Sequence, residues 1–106
     1  GRNSYQVTQR IAITVANKMP NRADAAEYML SSDQTLRLLS KIHAWMIADV
    51  EEGNIEWISR GELDKAEIIP FVASELSSVG WTLMLNCIAP DTLGTHLLSR
   101  SFAKHI

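Results

Sequence analysis

Residues 32–53 read SDQTLRLLSKIHAWMIADVEEG, and this stretch decides the fold expected of the chain. Leu36, Leu39, His43, Met46 and Val50 recur at the three-and-four spacing of one helical stripe. Leu38, Ile42 and Trp45 widen the stripe on one side and Ile47 on the other. Only Arg37, Lys41, Ala44 and Ala48 form a face that water tolerates. A helix so apolar around its girth belongs at the centre of a small domain. Its ends are marked. Ser31 or Ser32 can cap the first turn, and Gln34 stands three residues after Ser31, as in a capping box. Gly53-Asn54 is a usual exit.

Toward the N-terminus, residues 22–30, RADAAEYML, read as a short helix capped by Asn21, with Asp24 and Glu27 early as its dipole prefers. Ser31-Ser32 separates it from the central helix. Pro20-Asn21 closes a first helix over residues 4–19, SYQVTQRIAITVANKM. There Val7, Arg10, Ile11 and Val15 share one side, with Thr14 and Lys18 beside them. The β-branched content lowers helix propensity, so tertiary packing has to hold this segment. Residues 1–3 read as a tag remnant or flexible terminus. The start at Gly1 without methionine leads to the expectation of one domain from a longer protein.

Toward the C-terminus, residues 54–59, NIEWIS, read as a short strand or an extended connection. Ser59 and Glu62 form a second capping box, opening a helix at Arg60. Pro70 reads as a first-turn residue of another helix, PFVASELSSVG. After Gly80 comes WTLMLNCI, residues 81–88, which fits a buried strand and a buried helix equally. No second strong strand is evident to pair with it, so helix is the expectation. Pro90-Asp91 starts a last helix carrying Leu93, Leu97, Leu98 and Phe102. The fold expected is a mainly α single domain over residues 1–106. It is a bundle of roughly five to seven helices around residues 32–53, with at most a minor two-stranded element.

Composition narrows the function classes. The chain has 106 residues, 46% hydrophobic and 21% charged, an ordinary globular make-up with room for one core. No signal-peptide pattern is present, and no apolar run reaches the roughly 18–20 residues of a membrane span. The single cysteine, Cys87, rules out an internal disulfide and a cysteine-rich zinc site. In its apolar run it reads as an inert core thiol of a reduced intracellular protein. His43, His96 and His105 fall on separate elements without metal-ligand spacing. No phosphate-binding glycine loop and no EF-hand loop occurs. The acids Asp49, Glu51, Glu52 and Glu56 read as a solvated helix end rather than acid–base machinery. No enzyme, cofactor or metal is therefore expected.

Charge is uneven within a net −2. Up to residue 41 the bases Arg2, Arg10, Lys18, Arg22, Arg37 and Lys41 outnumber Asp24, Glu27 and Asp33; over residues 49–75 acids dominate. A pI of about 5.9 and acidic helices over 60–79 weigh against nucleic acid. A small helical regulator of phage or plasmid type that binds nucleic acid is the alternative, and a minor enzyme subunit a third. Protein recognition is favoured. Of the three tryptophans, Trp45 reads as core, while Trp57 and Trp81 stand at element ends, where aromatics often serve interfaces.

In its order of segments the chain resembles the C-terminal domain of rhabdovirus phosphoproteins. The likeness rests on QRIAITVANKMP, the loop with Arg22, DQTLRLLSKIHAWMIADVEE, an irregular section, SSVGWTLMLN with its Gly80-Trp81 pair, and a Leu-rich close. The resemblance implies a non-enzymatic module holding the phosphoprotein, a polymerase cofactor in viral transcription and replication, onto the nucleoprotein–RNA template. It implies basic residues near the first helices that face an acidic nucleoprotein loop, a role that Arg10, Lys18, Arg22 and Lys41 match. Some relatives have a small hairpin where this chain has the capped helix 60–68. The location implied is the host cytoplasm. The candidate partner-binding residues are Arg10, Lys18, Arg22, Lys41, Trp57 and Trp81, and the partner expected is a protein with an acidic segment.

Overall fold

The computed structural model describes residues 7–89. It is not a helical bundle. Strand β1 (Val7–Lys18) leads to a long helix α1 (Ala25–Glu51) and a short helix α2 (Arg60–Asp64). Strand β2 (Glu67–Ala73), a 3-10 turn (Ser74–Leu76) and strand β3 (Ser78–Ala89) complete it. The strands form one antiparallel sheet in the order β1-β3-β2.

Three expected helices are strands. In β1 the half-buried positions Gln9, Ile11, Ile13, Val15 and Asn17 alternate with exposed Arg10, Ala12, Thr14, Ala16 and Lys18. That is a period of two, and the β-branched residues that suit a helix poorly suit a pleated surface. The ambiguous run 81–88 lies in β3. It has the pairing partner that seemed absent, because β2 runs antiparallel to it from Glu67↔Met84 to Ala73↔Ser78. Pro70 sits inside β2 opposite Trp81 rather than opening a helix. A proline is tolerated there because β2 is an edge strand and one row of its N–H groups has no strand to serve. The expected last helix, residues 91–106, lies outside the described residues.

The long helix is present but starts earlier. Asp24, not Asn21 or Ser31, closes its first turn: the Glu27 N–H donates to Asp24 Oδ1 (2.9 Å), and the Asp24 N–H reaches back to Glu27 Oε1 (3.4 Å). Ser31 and Ser32 do not break it. Their carbonyls accept the Thr35 hydroxyl at 2.7 and 3.1 Å, and they continue the ladder. The expected exit holds, with Gly53 at φ +79°, the left-handed conformation that glycine adopts without strain. The capping box at α2 is also present: the Glu62 N–H donates to Ser59 Oγ at 3.1 Å. Residues 54–59 form no strand; they carry Ile55, Trp57 and Ile58 inward.

The chain packs as two compact units, and β1, α1 and β3 each contribute to both. The first holds the described residues up to Ile11, Ala44–Ala66 and those from Leu85 onward. Its core is Met46, Ile55, Trp57, Ile58, Leu63, Leu85 and Cys87. The Ile88 N–H joins β3 to the Trp57 carbonyl (3.0 Å), and Arg60 bridges Glu51 and Asp64 at 3.1 and 3.0 Å.

The second unit holds Ala12–His43 and Glu67–Met84, with Met19, Leu39 and Leu83 as buried apolar residues. Here the Trp81 indole N–H donates to the Ser32 carbonyl (2.9 Å), which sets the face of β3 that meets α1. Leu83, two residues on, shares that face and is fully buried. On the other face the Thr14 and Thr82 hydroxyls hydrogen-bond at 2.7 Å, joining β1 to β3. Gly80 is required where β1 crosses close. A Cβ there would fall on the Val15 carbonyl oxygen and 2.6 Å from the Ala16 Cα.

Candidate docking surface

Exposed apolar side chains are concentrated in the second unit. Tyr28, Met29, Leu30, Leu38, Ile68, Ile69, Val72 and Leu76 are all exposed there, whereas among the described residues of the first unit the exposed large apolar side chain is Ile88. Met29 is 72% exposed and Val72 70%. Isolated surface hydrophobics need no explanation, whereas apolar side chains that adjoin one another at a surface do.

The backbone explains why several of them gather at one end of the unit. The hairpin tip is tight: the Ser77 N–H donates to the Ser74 carbonyl (3.1 Å), and Ser77 takes a left-handed φ of 49°. The Met19 N–H donates to the Ser77 carbonyl at 2.6 Å, pinning the tip beside the end of β1. The turn Pro20–Ala23, closed by a 3.1 Å bond, then delivers the chain into α1. Leu76 therefore lies near the turn that carries Arg22, with Tyr28, Met29 and Leu30 just beyond it on the first turns of α1.

Lys18, Arg22 and Lys41 form no ion pair among the described residues, whereas Arg37, Arg60 and Lys65 are each paired with a carboxylate. Lys18 ends β1, Arg22 lies in the turn, and both are exposed. Asp24 and Glu27 are engaged in capping α1, and a third acid, exposed Glu75, lies in the hairpin tip beside Leu76. Lys41 is exposed on α1, about 15 Å along the helix beyond Ser31, where the side-chain amide of Asn17, the neighbour of Lys18, makes its contact. Arg10 is exposed on β1 in the first unit.

The tryptophans fall differently from the cations. Trp57 is buried in the first unit, and Trp81 is half-buried with its N–H bound to α1. Sequence reasoning missed Leu76, Val72 and Met29. The signal for the first two was present in a hairpin that the helical reading concealed.

For other chemistry the geometry is sparse. Among the described residues no group of three or more His, Cys, Asp and Glu is placed to hold a metal ion. No described helix is long and apolar enough to cross a membrane. Cys87 is buried, and burial pushes its thiol above the ordinary value against a smaller opposing effect from a backbone hydrogen bond with Gln9. A thiol held protonated is a weak nucleophile. No family model, curated protein or solved structure matches the chain.

Proposed function

We propose that this chain is a non-enzymatic protein-recognition module that docks an amphipathic segment of a partner on the hairpin-tip end of its second unit. The observation that carries this reading is the set of exposed apolar side chains in that unit, Met29 and Leu76 above all, beside two cations that form no ion pair among the described residues. The apolar residues supply the binding free energy by burial. Lys18 and Arg22 select acidic side chains and raise the association rate. The partner segment is accordingly apolar on one side and acidic at its margin. A rhabdovirus nucleoprotein is the candidate that the sequence resemblance suggests. The proposal itself rests on the surface, since QRIAITVANK and SSVGWTLMLN, which carried much of that resemblance, are strand residues here.

The test is a titration of the isotope-labelled chain, followed by backbone NMR, with a peptide alternating leucine and glutamate and with its lysine counterpart. A rhabdovirus nucleoprotein–RNA template, duplex DNA and single-stranded RNA form the other arms. The acidic peptide is expected to shift Lys18, Arg22, Met29 and Leu76. Lys18→Glu with Arg22→Glu should weaken it tenfold or more, about 1.4 kcal/mol, and Met29→Ser with Leu76→Ser should abolish it. Both variants should unfold at nearly the wild-type temperature, since exposed charges and surface apolar groups add little to folding. Binding that ignores both double variants would remove this surface from the mechanism. A steep loss of duplex or single-strand binding with salt would replace protein recognition by nucleic-acid recognition.

A further inference from the structure

The first unit carries a cleft of about 280 Å³, lined by Glu56, Trp57, Ser59, Glu62 and Ile88. Its wall is well defined. The Ile88 N–H is bonded to the Trp57 carbonyl, and Ser59 Oγ is held by the Glu62 N–H as the cap of α2. Trp57 is only 8% exposed, yet its indole N–H has no acceptor among the described residues. Trp81 shows the usual outcome, with its N–H on the Ser32 carbonyl. A buried indole N–H left without an acceptor is uncommon and calls for one.

The rest of the lining states what else the occupant carries. Glu56 has no ion-pair partner among the described residues, and Glu62 reaches Lys65 only at 3.8 Å. Two carboxylates favour a cation and repel an anion. Ile88, 51% exposed, offers an apolar wall. The occupant thus combines a positive group, an apolar stem and a hydrogen-bond acceptor. A bare metal ion lacks the acceptor, and an indole N–H turns its positive end toward such an ion.

We propose that this cleft binds a lysine residue of a partner peptide. The ammonium lies between Glu56 and Glu62, the methylene stem lies along Ile88, and the lysine carbonyl accepts the Trp57 N–H. The site shares no residue with the docking surface of the second unit, so either can fail without the other.

The test uses N-acetyl-lysine N-methylamide as probe and its norleucine counterpart, which lacks the ammonium, as control. The readout is the Trp57 indole N–H resonance of the full chain. The lysine probe is expected to move this resonance downfield and to saturate, and the norleucine probe to bind at least tenfold more weakly. Glu56→Gln with Glu62→Gln should weaken the lysine probe about tenfold, leave norleucine unchanged and preserve the unfolding midpoint. Glu56→Gln alone, at an exposed position, should weaken it in the same direction. No saturable shift, equal binding of the two probes, or lysine affinity indifferent to both variants would each overturn the proposal.

Discussion

Gly80 and Gly61 show how one residue type can carry opposite meanings. At Gly80 a methyl group would collide with the β1 backbone at Val15 and Ala16, and backbone does not yield as a flexible side chain does. Gly80→Ala is expected to cost about 3 kcal/mol, measured by denaturant unfolding. At Gly61 the nearest atom to an added Cβ is Ser59 Oγ at 3.9 Å, an ordinary contact, and the residue lies inside α2. Gly61→Ala should stabilise by about 0.5–1 kcal/mol, because it removes unfolded-state freedom and improves helix propensity. Loss at both positions would mean that α2 is not the helix described. The pair Gly80-Trp81 drew attention in the sequence. What its glycine does, letting β1 pass close to β3, is a contact between segments far apart along the chain.

At the scale of elements, α1 carries the clearest test of where a helix begins. Asp24 and Glu27 exchange two capping bonds, while Ser31 lies within the helix and receives a 3.4 Å contact from the Asn17 side-chain amide. Asp24→Ala should therefore cost about 1 kcal/mol, and Ser31→Ala distinctly less. Paired unfolding curves measure both, and the reverse order would restore the start near Ser32. The central stripe of this helix was legible: Leu39 and Met46 are fully buried, as their spacing requires. Helical hydrogen bonds and side-chain neighbours are local, so the pattern of one segment suffices. Strands offer no such closure. β3 was ambiguous by itself, β1 read as a β-branched helix, and Pro70 made β2 look like a helix start.

At the scale of the molecule, the described residues of the two units differ in how much apolar surface they close. The first buries Leu63, Ile55, Ile58 and Leu85 almost fully. The second leaves Met29, Leu30, Val72 and Leu76 in water. Fully burying one such side chain contributes about 1.5–3 kcal/mol, so stability rests chiefly on the first list. Leu63→Ala should cost about 2–5 kcal/mol, and Met29→Ser should stay within about 0.5 kcal/mol. Equal losses, read as shifts of the urea midpoint at constant slope, would show that the surface residues are core. The same division separates the candidate sites. Residues that resist water hold the first unit together, and those left exposed in the second are available to a partner.

By itself the sequence determined α1 through its stripe, its glycine exit and the capped start of α2, because each is written within a few consecutive residues. It also marked Arg10, Lys18, Arg22 and Lys41 as cations, without showing which of them share a unit. Only the tertiary structure decided that Val7–Lys18 and Ser78–Ala89 are strands and that Trp57 is core. It alone gathered Arg22, Met29 and Leu76 at one end of a unit. The physical reason is that a strand is stabilised by a partner elsewhere in the chain. β1, β2 and β3 become favourable together, once the turns and α1 have brought them side by side.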